Sequence, residues 1–482
     1  MENKRELFKL NEIVQLRNGA AIKQMFFTDS KSGVDLIKVS NFTDDSIDVF
    51  GVTKVDAEHA IKWRTHQLKV HDILIATVGS WPPNWSSVVG KVVRAPMSAH
   101  GAIQNQNTCC IIPGDKVDQN YLYYLLKTKS FSEWVVNVAQ GSANQARVPV
   151  KNIGEFIVDL PPLDEQKRIS DILNSLDAKI SVNRKLNQTL EQMAQAVFNS
   201  WFVDFEPVKA KKAVLEAGGS QEDATLAAMT AISGKDADAL AVFEREHPEH
   251  YAELKATAEL FPSAMQESEF GEIPGEWTLS EIGAQIDIAG GATPSTKTSE
   301  FWDNGDIHWT TPKDLSNVKE KILLYTERKI TKAGLGKISS GLLPVNTVLM
   351  SSRAPVGYLA IAKVPVAINQ GYIAMKCNKE LSPEFVLQWC SANMPEIVSR
   401  ASGTTFAEIS KKNFNPIPLV KPPVELVKRY TKQASAIYLL IENTMRENNS
   451  LIQLRDTLLP KLLSGEITLP ESEQAVSEAE NV

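Results

Sequence analysis

The stretch LPPLDEQKRISDIL (residues 160–173) has an echo in VKPPVELVKRYTKQ (residues 420–433). Both place a Pro-Pro pair, then four residues, then Lys-Arg: Pro161-Pro162 with Lys167-Arg168, and Pro422-Pro423 with Lys428-Arg429, a displacement of 261. The likeness extends outward in both directions. FKLNEI (8–13) answers WTLSEI (277–282), LKVHDILIA (68–76) answers LPVNTVLMS (343–351), and VGKVV (89–93) answers VGYLA (356–360). IQNQ (103–106) answers AINQ (367–370), and AQGSA (139–143) answers ASGTT (401–405). The offset drifts ahead of the Pro-Pro box and holds at 261 after it. Drift marks loops that gain and lose residues, and a fixed offset marks a rigid element. Two copies of roughly 200 residues are too long and too few for a solenoid, so the pattern predicts a tandem duplication of one domain with its trailing helix.

The front of each copy alternates short β-like runs (DILIATV, VVGKVV; NTVLMSS, YLAIA) with Gly, Pro, Asn and Ser-rich turns. One helical segment follows in each (YLYYLLKTKSFSEWVVNVA; PEFVLQWCSANMPEIVSRA). A mixed α/β (α+β) domain, mostly antiparallel, is expected. Behind each Pro-Pro box the apolar residues come at alternating threes and fours: Ile169, Ile172, Leu176, Ile180, Leu190, Ala194, Val197 and Trp201. The second copy reads Tyr430, Gln433, Ile437, Ile441, Leu451, Arg455, Leu458 and Leu462. This is a coiled-coil-like stripe with polar defects, Asn187 and Asn448 among them. Such an Asn either fixes register or marks a place where the stripe turns to solvent. Neither helix buries its stripe alone, so the two are expected to pair, antiparallel and with pseudo-twofold symmetry. About 38 residues at ~1.5 Å each give a rod of ~57 Å, longer than the ~34 Å turn of B-DNA. Two heads on such a rod suit the reading of two short sites a fixed gap apart.

The chain has 482 residues, 43% hydrophobic and 23% charged, ordinary for a globular protein of several domains. No apolar run approaches the roughly 20 residues of a membrane span, and MENKRELFKL lacks the apolar core of a signal peptide. A cytoplasmic location is expected. Four cysteines (Cys109, Cys110, Cys377, Cys390) have neither disulfide-framework nor zinc-site spacing. The net charge is −7, but residues 208–276 carry 14 acidic against 6 basic residues, and residues 466–482 have five Glu and no base. Without those two stretches the remainder is at +6, which neither excludes nor establishes a polyanion partner.

The order of these parts resembles the specificity subunit of type I restriction-modification enzymes from residue 8 to residue 467. The specific motifs are PPLDEQKRI, WFVDFEPV, the lead-in FPSAMQESEFGEIPGEW and the closing LLPKLLSGEI. The resemblance implies a target recognition domain at 1–160, a spacer helix at 161–205, an acidic connecting insert at 206–276, a second recognition domain at 277–421, a second spacer helix at 422–465, and a disordered acidic tail at 466–482. It implies that each recognition domain reads one half of a bipartite double-stranded DNA target, and that the helices set the gap and dock two methyltransferase subunits. Restriction-translocase subunits would join them. Adenine methylation and cleavage would then lie on other chains, with S-adenosylmethionine, ATP and Mg2+ bound there and no cofactor here. The first copy departs from the pattern in lacking the GEIPGEW lead-in.

The residues themselves read as a binder. WPPNW (81–85) and AGGATPSTK (289–297) match neither a methyltransferase catalytic box nor a phosphate loop. DEQK (164–167) resembles a nuclease element, but its counterpart ELVK (425–428) lacks the second carboxylate. No metal or catalytic residue is expected. The alternatives are a coiled-coil adaptor between proteins, or a self-contained methyltransferase or nuclease. Base readout calls for Arg, Lys, Asn and Gln in loops. The candidates in the first head are Trp81, Asn84, Trp85, Gln104, Asn105, Gln106, Asn144, Gln145 and Arg147, with Lys38 and Lys91 suited to phosphate. In the second they are Arg353, Asn369, Gln370, Thr404 and Phe406, with Lys313 suited to phosphate. Asn105-Gln106 and Asn369-Gln370 recur at one place in both copies, which fits a structural or backbone-contacting role better than specificity. Trp201 is expected in the core. The Ala- and Glu-rich insert reads as one or two short helices.

Overall fold

The computed structural model describes residues 5–82, 84, 87–142, 145–316, 318–353, 355–403, 407–467, 470, 472 and 474. It separates into two compact units, Met1–Ser181 with Asn448–Val482, and Val182–Glu447. Each contains one head and a stretch of both long helices.

The head of the first unit is built on an antiparallel sheet ordered Val14–Asn18, Thr108–Pro113, Ile73–Ala76, Val92–Arg94. The interior strand Ile73–Ala76 reads ILIA and is buried at every position, as a strand covered on both faces must be. Beside it lies a small mixed sheet, Phe27–Thr28, Lys54–Val55, Val34–Ile37, Ile103–Gln104, whose last pair is parallel. The head of the second unit repeats both. Its main sheet runs Asp287–Ala289, Tyr372–Lys376, Val348–Ser352, Val356–Ala362, with one added parallel edge strand, Ile322–Leu323. Its small sheet runs Arg328–Ile330, Ile307–Thr310, Val366–Ile368. In each head an opening strand pairs with the strand that leads into the Pro-Pro box: Glu6–Lys9 with Ile157–Leu160, and Thr278–Glu281 with Pro418–Lys421. The duplicated mixed fold expected from the sequence is therefore present in both heads, with Phe27–Thr28 of the first and Ile322–Leu323 of the second lacking a counterpart.

The single helical segment expected in each head is broken in two. Gln119–Leu126 is followed by Lys129–Val138, because the Thr128 hydroxyl accepts from the Phe131 N–H and starts a new helix. In the second head Pro383–Ala392 gives way to Met394–Ser399, where Pro395 forces the restart. The second helix of each pair packs over a glycine with positive φ. A Cβ on Gly90 (φ 86) would stand 2.5 Å from Val135, and one on Gly357 (φ 109) 2.7 Å from the Met394 sulfur. Only glycine adopts this backbone and admits that helix.

The long helices are Leu163–Phe202 and Val424–Ser464. In the second unit Asn183, Asn187 and Glu191 hydrogen-bond to Glu447, Thr444 and Tyr438 in turn, so the helices run antiparallel there. The buried stripe differs from the expected one at four places, one of them Ile437, which is half-buried beside the fully buried Tyr438. At the other three, Leu173, Phe198 and Ala434 are buried, whereas Ile172 and Val197 are half-buried and Gln433 is exposed. A 3.6-residue helix drifts relative to a regular stripe, and the larger or smaller neighbour fills the seam. Asn187 is fully buried and Asn448 nearly so, so the stripe does not turn to solvent at either. Trp201 lies in the core, edge-on to Phe261 at 5.4 Å.

The insert holds four helices rather than one or two: Glu206–Glu216, Gln221–Ser233, Ala237–Glu246 and Pro248–Glu259. The breaks were written locally, in the Ser220–Asp223 capping box, the left-handed Gly234 and the Asp236 cap. Ala228, Met229, Leu240 and Ala258 form its small core. Lys211 is buried and donates to the carbonyls of Ala258 and Phe261 at 3.0 and 2.6 Å, closing the end of the last helix; burial lowers its pKa. The acidic tail beyond residue 474 lies outside the described residues.

Candidate nucleic-acid interface

In the first head the hairpin Gln140–Ser142/Gln145–Arg147 pairs with Val78–Gly79 at one end of the main sheet. Ala146 is buried against the head, so Gln145 and Arg147, its neighbours in a two-residue repeat, both face solvent. Arg147 has no partner among the described residues. The Trp81 indole N–H donates to the Ser142 carbonyl at 2.7 Å and its ring rests on the head core, so Trp81 braces the hairpin. Asn84 is exposed, and its carbonyl accepts from the Ser80 hydroxyl at 2.9 Å. Trp85 and Asn144 lie outside the described residues, as do Thr404 and Phe406.

The second head has the same device in shorter form. Arg353 forms a β-bridge with Glu408, and Glu408 bridges Ser402. Next to it opens a cleft of about 430 Å³ lined by Lys313, Arg353, Tyr358 and Asn369, with Thr311 and Ser316. Lys313 pairs with Glu327 at 2.9 Å and Arg353 with Glu408 at 3.8 Å, all four side chains exposed. Exposed pairs contribute little, so both cations are available to a stronger anion.

The remaining candidates are more constrained. Gln104 is a correction: it is fully buried and donates to the Arg17 carbonyl at 2.9 Å, so its amide does not reach a base edge. Asn105 and Asn369 both close an Asx-turn, accepting from the N–H two residues on, Asn107 at 3.1 Å and Gly371 at 2.9 Å. Gln106 accepts from Asn105 at 2.8 Å, and Gln370 from the Thr293 hydroxyl at 2.7 Å. Lys38 donates to the Thr53 hydroxyl at 2.7 Å and lies 5.2 Å from the Phe27 ring centre. Lys91 is 15% exposed and stands 3.5 Å from Asp44.

Sequence reading passed over Tyr358 and the Arg328 stack. The Arg328 guanidinium lies 3.6 Å above Trp302, which meets Trp309 edge-on at 5.0 Å. The adjacent basic pair Arg328-Lys329 was the available signal. Burial pushes the thiols of Cys109, Cys110 and Cys377 up to about 12, so they are neutral at ordinary pH.

The family described as "Type I restriction modification DNA specificity domain" matches residues 2–192 and 274–451, both heads with most of both helices. The chain belongs to this family. The HindI specificity subunit of Haemophilus influenzae is 32% identical over 358 residues, covering 72% of this chain and 77% of that one. The putative MjaX specificity subunit of Methanocaldococcus jannaschii is 25% identical over 467 residues, covering 96% and 93%. A solved S subunit from M. genitalium is 14% identical over 96% of both chains, with a TM-score of 0.47. As a member of this family, the chain serves DNA sequence recognition in a type I restriction-modification system. No helix among its described residues is long and apolar enough to cross a membrane.

Proposed function

We propose that the specificity chain carries no catalytic group of its own and reads a bipartite DNA target, one half with each head. The long helices hold the gap between the halves and dock two methyltransferase subunits, and the restriction-translocase subunits join that assembly. S-adenosylmethionine, ATP and Mg2+ act on those partners. The observation that carries this reading is the repeated head topology, with a loop-and-hairpin device at the same end of each sheet and a long helix behind each head. Phosphate is met by Lys313, Lys38 and Lys91, and base edges by Gln145, Arg147 and Arg353, with Asn144, Trp85, Thr404 and Phe406 on the same loops. Docking is supported by Val182 and Met193 on the first helix and Leu439 on the second, which are 60%, 51% and 57% exposed. Large apolar side chains left in water on a helix face suit a partner.

The test is long-read mapping of methylated adenines in a methylase-free host that expresses this chain with its methyltransferase subunit. Two short defined halves around an undefined gap of fixed length are expected. A continuous motif means that one head alone reads DNA. A well-formed complex without methylation favours the adaptor reading. Inserting two helical turns into Leu163–Phe202 is expected to change the gap and leave both half-sites intact.

A further inference from the structure

Glu191, on the first long helix, is 9% exposed, and donors from three other elements converge on it. The Tyr438 hydroxyl, on the second long helix, donates to Oε2 at 2.8 Å. The Gln388 amide, on head helix Pro383–Ala392, donates to Oε1 at 3.0 Å and to the Tyr438 oxygen at 2.7 Å. Lys321 Nζ stands 2.9 Å from Oε1 and donates to the Ser391 hydroxyl at 3.0 Å. Lys321 occupies a left-handed turn (φ 53) directly ahead of the added edge strand Ile322–Leu323. One carboxylate thus joins both long helices to two elements of the second head. The surrounding contact is aromatic, with Phe198, Phe385 and Tyr430 meeting at 5.1 to 6.1 Å. Apolar burial is non-directional and tolerates small slides. Charge-assisted hydrogen bonds are short and directional, and a buried carboxylate that loses them is left without its partners.

We propose that Glu191, with Lys321, Gln388 and Tyr438, is a positioning clamp that fixes the seat of the second head on the helix pair and so sets how strictly the gap is read. This rests on the two-reader function above. Successive base pairs are ~3.4 Å apart, so a head that shifts by that distance accepts a gap one base pair longer or shorter. The apolar contact supplies adhesion, and the clamp supplies the angle.

The experiment uses the chain in complex with its methyltransferase subunit and a library of sites with identical half-sites and gaps from two base pairs short to two long. Methylation is mapped for wild type, E191A, E191Q, K321M and, as a neighbouring exposed control, Q192A. Wild type and Q192A are expected to use one gap. E191A is expected to methylate neighbouring gaps, discrimination between gaps falling roughly tenfold or more, with both half-sites unchanged. E191Q keeps an acceptor for Gln388 and is expected to lie between the two. If E191A does not assemble, K321M decides, since the Lys321 side chain is 24% exposed and its loss leaves the core intact. A single strict gap in assembled E191A and K321M complexes overturns the proposal, and so does a changed half-site, which would make the clamp part of the readout. A continuous wild-type motif overturns the two-reader function and the clamp with it.

Discussion

The two heads are seated on the same pair of helices by the same three kinds of group, supplied from different places. In the first unit the carboxylate is Asp177 of the first long helix, the cation is Arg455 of the second at 2.8 Å, and the hydroxyl is Tyr124 of the head at 2.7 Å. Arg94 and Asn120 of the head extend the network through Asn174, each link 3.0 to 3.1 Å long. In the second unit the carboxylate is again on the first long helix, as Glu191. There the cation comes from the head, as Lys321, and the hydroxyl from the second long helix, as Tyr438. Cation and hydroxyl have exchanged sides. Burial pushes both hydroxyl pKa values up and keeps them as donors. A duplication that preserves strand order has thus not preserved the bolts, and each head fits its own seat.

Breaking the bolts one at a time sharpens that contrast. The largest effect is expected from R455M, which leaves Asp177 half-buried without its cation. A loss of about 3 kcal/mol in denaturant unfolding is expected, partly recovered in D177N/R455M. Y124F and Y438F each remove a hydroxyl bonded to a carboxylate and are expected to cost about 1.5 kcal/mol by the same measurement. K321M, on the more exposed cation, is expected to cost about 1 kcal/mol, less than R455M. Near parity between those two would mean that the cations are not inequivalent. The smallest effect is expected from N187L. Asn187 accepts from Thr444 while its NH2 group is buried with no partner among the described residues, so an apolar replacement is expected to alter stability by less than about 1 kcal/mol. Its signature is looser helix register, read by disulfide trapping between engineered cysteines on the two helices.

The duplication, the sheets and the helix pair were legible because each is written as a period or an offset in the chain. The Pro-Pro boxes mark both helix starts, and the apolar stripe marks their shared face. The stripe did not distinguish Gln433 from Ala434, since periodicity locates a face and local packing selects the residue. The Thr128 cap was written in the sequence but lies inside a run that looks helical on both sides, whereas the Gly218-Gly219-Ser220 break was a plain signal within a stretch whose composition looks uniform. The clamps were not legible. Residues 191, 321, 388 and 438 come together only through the fold, and a Glu beside an apolar stripe looks like a defect in it. For the same reason Gln104 and Gln145 looked alike, two Gln in turn-rich stretches, until one proved buried and the other exposed.

Gly90 and Gly357 bear on retargeting. Each sits where a head helix lies against the main sheet or the segment leading into it, and neither position accepts a side chain. The paired strands Gln140–Ser142 and Gln145–Arg147 are held by Val78–Gly79, by Trp81 and by the buried Ala146, whereas Gln140, Gln145 and Arg147 themselves face solvent. A designer seeking a new target can therefore vary these exposed side chains while Gly90, Gly357, the left-handed Gly141 (φ 144) and the buried Ala146 stay fixed. A library that varied both regions alike would lose most of its members to chains that no longer close over the sheet.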